Sequence, residues 1–311
     1  MTATAATSVL GISAALIWGA ADFAGGLGAR YLRVYWLLAI SHGASLVALL
    51  LIASLLHQPR PDERILAFGL ISGFAGGTAL LVCDYALSLG SMGTTAAVTG
   101  LLTAALPVAF SLTTIGAPSA RQLGGFVLAA GAIWLISSPS GPGKSPVEAQ
   151  GKKLVLAVVA GVGFGVFLIA LRLANSGGIL WPLAASRVGS LTLAIAGGFL
   201  FSRDHFMQPQ ASLAPISRSV AQELNTSRQK DISRPWKIGI ALALLSSLCD
   251  TGGNFFFVAA TRIGRLDVAA VLSSLYPAST ILLAMWLLKE RTSRRQAIGM
   301  AAALVAVALI S

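Results

Sequence analysis

The sequence predicts an all-α membrane protein with ten transmembrane helices, arranged as two inverted five-helix repeats. Composition is the first reason, because 56% of the 311 residues are hydrophobic and only 11% are charged, against about 25% charged residues in soluble proteins. The second reason is a series of apolar runs of the length that crosses a bilayer. The third is that phrases of the first half recur in the second half in the same order.

The apolar runs define the predicted helices. A helix crossing the hydrocarbon core needs about 20 mostly apolar residues, and segments rich in Pro, Gly and charge separate the runs. Barrel strands of about 9–11 alternating residues do not fit runs of this length, so helices satisfy the backbone in lipid. The predicted spans are 8–28, 35–56, 65–88, 93–113, 121–138, 153–174, 180–201, 237–260, 266–288 and 294–311.

Two stretches of the sequence form an internal repeat. "WLLAISHGASLVALL", starting at Trp36, recurs as "WPLAASRVGSLTLAI", starting at Trp181, at an offset of 145 residues. Trp, Leu, Ala and Ser match in register, among them Ser45 with Ser190. At the seventh position, among apolar neighbours, one copy has His42 and the other has Arg187.

Further repeats extend the pattern to both halves. "LLTAALP" aligns with "VLSSLYP", which matches Pro107 to Pro277, and the last span of each half also corresponds. We therefore predict a first repeat over 1–140, a linker over 141–152, and a second repeat over 153–311 that carries a polar loop at 202–235. Because five is odd, the second half enters the membrane from the opposite side. Inverted repeats commonly place a substrate site at mid-membrane, between the halves.

The two matched prolines suggest helix kinks. Proline removes a backbone hydrogen bond and bends a helix, so Pro107 and Pro277 would bend the fourth span of each half. The freed carbonyl groups would line a cavity, or the kinks would serve packing alone. Glycines at GxxxG spacing, Gly69 with Gly73 and Gly161 with Gly165, indicate close helix packing.

Three stretches carry a family resemblance: "IWGAADF" in the first span, "AASRVGSL" in the seventh, and "LDVAAVLSSLYPASTILLAMWLLKERTSRRQAIGMAAALVAVALIS" at the end. Together they resemble the drug/metabolite transporter (DMT) superfamily, EamA type. The first half departs from the pattern, since "GAPSARQ" has no glutamate and His42 stands where an arginine is expected. The resemblance implies a secondary transporter with a central cavity, whose substrates include amino acids, sugars and other small metabolites.

Ionisable side chains inside the apolar runs are the candidate site. They cost several kcal/mol in a bilayer and are functional candidates by default. Arg187 is the first choice, because its guanidinium suits carboxylate or phosphate; a structural ion pair with an aspartate is the alternative. His42 is a candidate for proton coupling, since histidine titrates near neutral pH; a packing histidine is the alternative.

Five further residues complete the predicted site. Asp250, near the middle of the eighth span, is a candidate for binding a substrate amine, carrying a proton or neutralising Arg187, and Asn254 follows it by one turn on the same face. Asp22 shares a face of the first span with Trp18, so both are predicted to line the cavity, as is Tyr276. An interfacial position is the alternative for Asp22.

The sequence argues against several function classes. Its three histidines lack metal-ligand spacing, and there is no G-x-S-x-G, so we expect no enzyme, no catalytic residue, no metal and no cofactor. The net charge of +11 lies mostly in short segments between apolar runs, which indicates anionic lipid rather than nucleic acid as the partner. A channel or scaffold remains a rival interpretation.

The resulting prediction is a multi-pass protein of the cell inner (plasma) membrane. It exports small polar metabolites by alternating access, and proton coupling is left open. The alternative is a carrier of sugars, nucleotide sugars or lipid-linked substrates. Lysine and arginine counts in the loops place both termini outside by the positive-inside rule. A homodimer is also left open.

Overall fold

The computed structural model describes residues 3–29, 31–88, 92–137, 147–201, 235–288 and 293–311. Within these ranges the chain forms α-helices and one short 3₁₀ turn, with no strand. The predicted all-α class is therefore confirmed. The helices are α1 (Ala3–Gly28), α2 (Val34–Leu55), α3 (Glu63–Ser88), α4 (Met92–Thr114), α5 (Ala120–Ser137), α6 (Val147–Leu173), α7 (Leu180–Phe201), α8 (Pro235–Ile263), α9 (Leu266–Ser273), α10 (Tyr276–Leu288) and α11 (Arg294–Ile310).

These helices correspond to the ten predicted spans, with α9 and α10 together forming the ninth. In the described part of the chain, seven candidate spans are long and apolar enough to cross a membrane. Large apolar side chains point outward, among them Leu55, Phe199 and Trp286, which are 75%, 76% and 77% exposed. Exposed apolar surface of this extent suits contact with lipid rather than water. The chain is an integral multi-pass membrane protein.

The ninth span differs from a single continuous helix. It is interrupted at Ser274 and Leu275, whose amides donate to Ala270 and Leu272 in a tight turn. Pro277 is the second residue of α10. A backbone N–H at this position would have no intrahelical acceptor, so the proline costs the helix no hydrogen bond. In contrast, α4 is continuous through Pro107. The two matched prolines therefore occupy different local structures, and the bend at Pro107 stays a prediction.

The start of the second half also differs from the predicted span. Helix α6 begins at Val147, within the segment 141–152 that we assigned to the linker. The first turns of this helix, "VEAQGKK", are polar, which is why hydropathy placed its start at residue 153. Our assignment of the repeat boundaries remains a prediction.

Helix packing follows the order expected of two equivalent halves. Helix α1 packs against α8, and α3 packs against α6. In the predicted repeat α1 corresponds to α6 and α3 corresponds to α8, so these two contacts are equivalent. The contact of α4 with α6 is likewise equivalent to the contacts of α1 with α9 and α10. The contact of α3 with α7 is equivalent to that of α2 with α8. Finally, α2 contacts its own counterpart α7, and α5 contacts α11.

Glycines let the central helices approach closely. A Cβ added at Gly73 of α3 would lie 2.7 Å from the carbonyl carbon of Ser186 on α7, and one at Gly69 would lie 2.8 Å from another α7 carbonyl. Added Cβ atoms at Gly161 and Gly165 of α6 would both lie 2.7 Å from leucine side chains of α4. The structure confirms the close-packing interpretation of these glycines, and it shows that α3 holds α7 in place.

Candidate functional site

A partly buried ion pair joins α7 to α8. Arg187 is a side chain of α7 and Asp250 of α8, and the guanidinium Nη2 lies 2.5 Å from a carboxylate oxygen, Oδ2. The same nitrogen donates to the Oγ1 of Thr251 at 3.3 Å. A charge removed from water needs a partner and further hydrogen bonds, and α8 supplies both from consecutive residues.

His42 of α2 contacts the same guanidinium from the other half. Its Nε2 lies 3.5 Å from Arg187 Nη1, and its Nδ1 lies 2.5 Å from the Oγ of Ser190. The Ser190 hydroxyl donates to backbone carbonyls of its own helix, so it is available to accept from Nδ1–H. Nε2 is then the acceptor facing Arg187. These bonds fit a neutral imidazole, because a protonated ring would set two cations side by side.

The His42–Arg187 contact joins equivalent positions of the repeat. The two residues are separated by 145 positions, the same offset that relates the repeated phrases. Residues that lie on a two-fold axis contact their own equivalents. The contact of His42 with Arg187 is what a two-fold axis at the crossing of α2 and α7 would produce.

Two polar atoms of this network lack a partner. Asn254 donates from Nδ2 to Asp250 Oδ2 at 3.1 Å, which leaves its own Oδ1 buried without a hydrogen bond to any described residue. The Nε of Arg187 is in the same condition. Buried unsatisfied groups are uncommon in folded proteins and call for an explanation such as a bound ligand.

Exposure differs between the two members of the ion pair. The side chain of Arg187 is 4% exposed, whereas that of Asp250 is 28% exposed. Both bonds to Asp250 described above reach Oδ2. A molecule that approaches the network meets the carboxylate before it meets the guanidinium.

The other predicted site residues lie on different helices. Trp18 of α1 is half-buried and packs its ring on Phe257 of α8, with centroids 5.8 Å apart, so it belongs to the same helix pair as Asp250. Asp22 is exposed and lies one turn further along α1. Tyr276 is half-buried at the first residue of α10. The network of α2, α7 and α8 brings four of the predicted residues together: His42, Arg187, Asp250 and Asn254.

Sequence reasoning missed three polar residues around the ion pair. Ser190 and Thr251 belong to the network, and Ser247 donates to the carbonyl of Ser41 at 2.6 Å, which ties α8 to α2. A signal for Ser190 was present, because it matches Ser45 in the repeated phrase and follows Arg187 by one turn. Nothing in the sequence distinguishes Thr251 and Ser247 from other membrane-buried hydroxyl residues.

Comparison with known proteins finds one family match, over the last third of the chain. Residues 213–311 match the model of the EamA-like transporter family. A solved structure described only as "Crystal structure of protein" superposes with a TM-score of 0.70 at 17% sequence identity, and the match covers 99% of this chain and 96% of that one. At that identity the likeness concerns the fold alone. No curated protein matches the chain.

Proposed function

We propose that the whole chain is a secondary transporter of small polar metabolites, because residues 213–311 match the model of the EamA-like transporter family. In this proposal it works by alternating access and exports its substrate across the cell inner membrane. Members of the family are transporters rather than enzymes, which agrees with a site that contains an ion pair and hydrogen-bonding groups.

The observation that carries the proposal is the Arg187–Asp250 network at the junction of the two halves. His42 and Arg187 come from matching positions in opposite halves, as expected for a mid-membrane site at a repeat interface. An ion pair removed from water is weak evidence for stability. Its retention at this junction, with unpartnered polar atoms beside it, supports a role in binding.

The exposed carboxylate suggests how binding couples to movement. A substrate amine or a proton that binds Asp250 weakens the attraction that holds Arg187. The guanidinium is then free to bind an anionic group of the substrate, and α7 is released from α8. In this proposal one event at Asp250 changes the contact between α7 and α8, and through Arg187 it also changes the contact with His42 of the other half. That is the differential interaction that a conformational change requires.

Of the two proton-coupling candidates, the geometry favours Asp250 over His42. Asp250 is partly exposed, whereas His42 is 6% exposed and its ring nitrogens are both engaged. A proton on His42 would also face Arg187. We therefore assign His42 the role of a neutral acceptor that orients the guanidinium.

Transport assays in vesicles test the function. A panel of amino acids, sugars and other metabolites, assayed with and without a pH gradient, should identify a saturable substrate. We expect Asp250→Asn to lose the response to the pH gradient, because the amide cannot take up the proton. Asp62→Asn, in the exposed loop before α3, should behave as wild type. Non-saturating flux without counter-transport would indicate a channel and contradict the proposal.

His42→Gln separates the two proton-coupling hypotheses. Glutamine has one acceptor and one donor end, so it can replace both hydrogen bonds of the neutral imidazole. We expect this variant to keep saturable transport and its full pH dependence, while His42→Leu loses transport because Arg187 and Ser190 lose their partner. A His42→Gln variant that transports without pH dependence would make His42 the proton carrier.

A further inference from the structure

A cavity with two basic side chains in its lining lies at the end of the helix bundle, away from the ion pair. Helices α4, α6 and α8 all end there, and α9 begins there. The cavity has a volume of about 430 Å³, within the range of small-ligand sites. Its lining combines apolar, hydroxyl and basic side chains: Phe110, Thr114, Ile115, Arg172, Leu173, Asn175, Ser176, Arg262 and Leu266.

The charge of this cavity is one-sided. Its wall contains two arginines, Arg172 and Arg262, and no carboxylate. Neither guanidinium makes an ion pair among the described residues, where the salt bridges join Arg187 to Asp250 and Arg265 to Asp267. Each of the two arginines lies in the last turn of its helix, where the helix dipole favours a cation. The dipoles explain one cation per helix, but they do not explain why both line one concave pocket.

The walls of the cavity are fixed by buried hydrogen bonds. Asn175 is 2% exposed, and its amide donates to the carbonyl of Val258 at 3.0 Å and to Thr261 at 3.1 Å. These bonds hold the turn after α6 against α8. On the opposite wall, Arg265 donates to the carbonyl of Gly116 at 2.7 Å, which holds the end of α4 at the start of α9. The two arginines are therefore presented by a preformed frame.

The lining also identifies the class of ligand. Ile115 and Leu173 of the lining are 47% and 40% exposed, so the pocket offers accessible apolar side chains at the end of the spanning helices. Arginine binds phosphate through a planar fork of donors, and basic pockets between transmembrane helices bind lipid head groups. A ligand with a phosphate group and an adjoining apolar part matches both features.

We propose that this cavity binds the phosphate group of an anionic lipid head group through Arg172 and Arg262. Free phosphate has the same chemistry at the guanidinium groups, and it differs in having nothing to place against Phe110 and Leu266. The site is separate from the ion-pair network and does not depend on the transport proposal.

Lipid binding to the purified protein in detergent tests the proposal, with native mass spectrometry as the readout. We expect phosphatidylglycerol to bind and phosphatidylcholine to bind at least about tenfold more weakly. A tenfold difference in affinity corresponds to about 1.4 kcal/mol in binding free energy. The double variant Arg172→Gln/Arg262→Gln should lose a similar factor. The matched control Arg60→Gln/Arg64→Gln removes two exposed arginines next to the loop between α2 and α3 and should bind as wild type.

Competition with inorganic phosphate distinguishes the two sources of the anion. Failure of millimolar phosphate to displace phosphatidylglycerol supports the lipid, whereas displacement that requires both arginines assigns the site to a soluble phosphate. Equal phosphatidylglycerol binding by the wild type and the double variant would overturn the proposal. The single variant Arg262→Gln changes only an exposed side chain, so it gives the same test if the double variant does not fold.

Discussion

Arg187→Ala abolishes transport while the protein still inserts into the membrane. The substitution leaves Asp250 with a hydrogen bond from Asn254 but without its counter-ion, and His42 without its donor. Breaking a buried pair by removing one partner costs about 3–5 kcal/mol, so we also expect a lower melting temperature in detergent. Transport in vesicles should fall by at least about 100-fold, which corresponds to a loss of about 2.8 kcal/mol in substrate binding.

A second variant separates a binding role of Arg187 from a structural one. Arg187→Ala/Asp250→Ala removes both charges, which is far less costly than leaving one of them unpaired. We expect this double variant to regain much of the thermal stability and none of the transport. Recovery of transport together with stability would show that the ion pair is only structural. Wild-type flux in Arg187→Ala alone would remove this residue from the site.

Gly73→Ala destabilises the protein through the packing of α3 on α7. The added methyl would lie 2.7 Å from the carbonyl carbon of Ser186, and backbone cannot rotate away as a side chain can. Overpacking of this kind costs about 1–3 kcal/mol. Because Ser186 precedes Arg187, the displacement also moves the guanidinium, so transport should fall together with the melting temperature.

A matched glycine provides the control for that experiment. Gly131 lies in the interior of α5, and a Cβ added there would meet nothing within 4 Å. Gly131→Ala should be neutral or stabilising by about 0.5–1 kcal/mol, since alanine is the better helix former. Equal melting temperatures for the Gly73 and Gly131 variants would contradict the close approach of α3 and α7.

The spanning helices were predictable because lipid imposes one strong constraint. Hydropathy alone placed α2 at 35–56, against an observed Val34–Leu55. The polar start of α6 and the break in the ninth span were missed because hydropathy does not report on them. Both depend on hydrogen bonds and local turns rather than on the apolar character that a hydropathy count measures.

The site was predictable in part, through the repeat. The offset of 145 residues placed His42 and Arg187 in equivalent positions, and the structure brings them into contact. The sequence could not rank Arg187 against Asp250 as the residue that a substrate meets first. That ranking rests on the exposures of 4% and 28%, which depend on how three helices pack around one ion pair.

Cysteine accessibility at Thr251 tests the central claim most directly. Thr251 contacts Arg187 and is half-buried beside Asp250, so Thr251→Cys reports on the network while leaving its charges in place. The background needs Cys83→Ser and Cys249→Ser, since neither native cysteine forms a disulfide. We predict that a membrane-impermeant thiol reagent labels this position from each face of the bilayer, and that a transported substrate slows the labelling. Labelling from one face only, at a rate that substrate does not change, would contradict a shared site at the junction of the two halves.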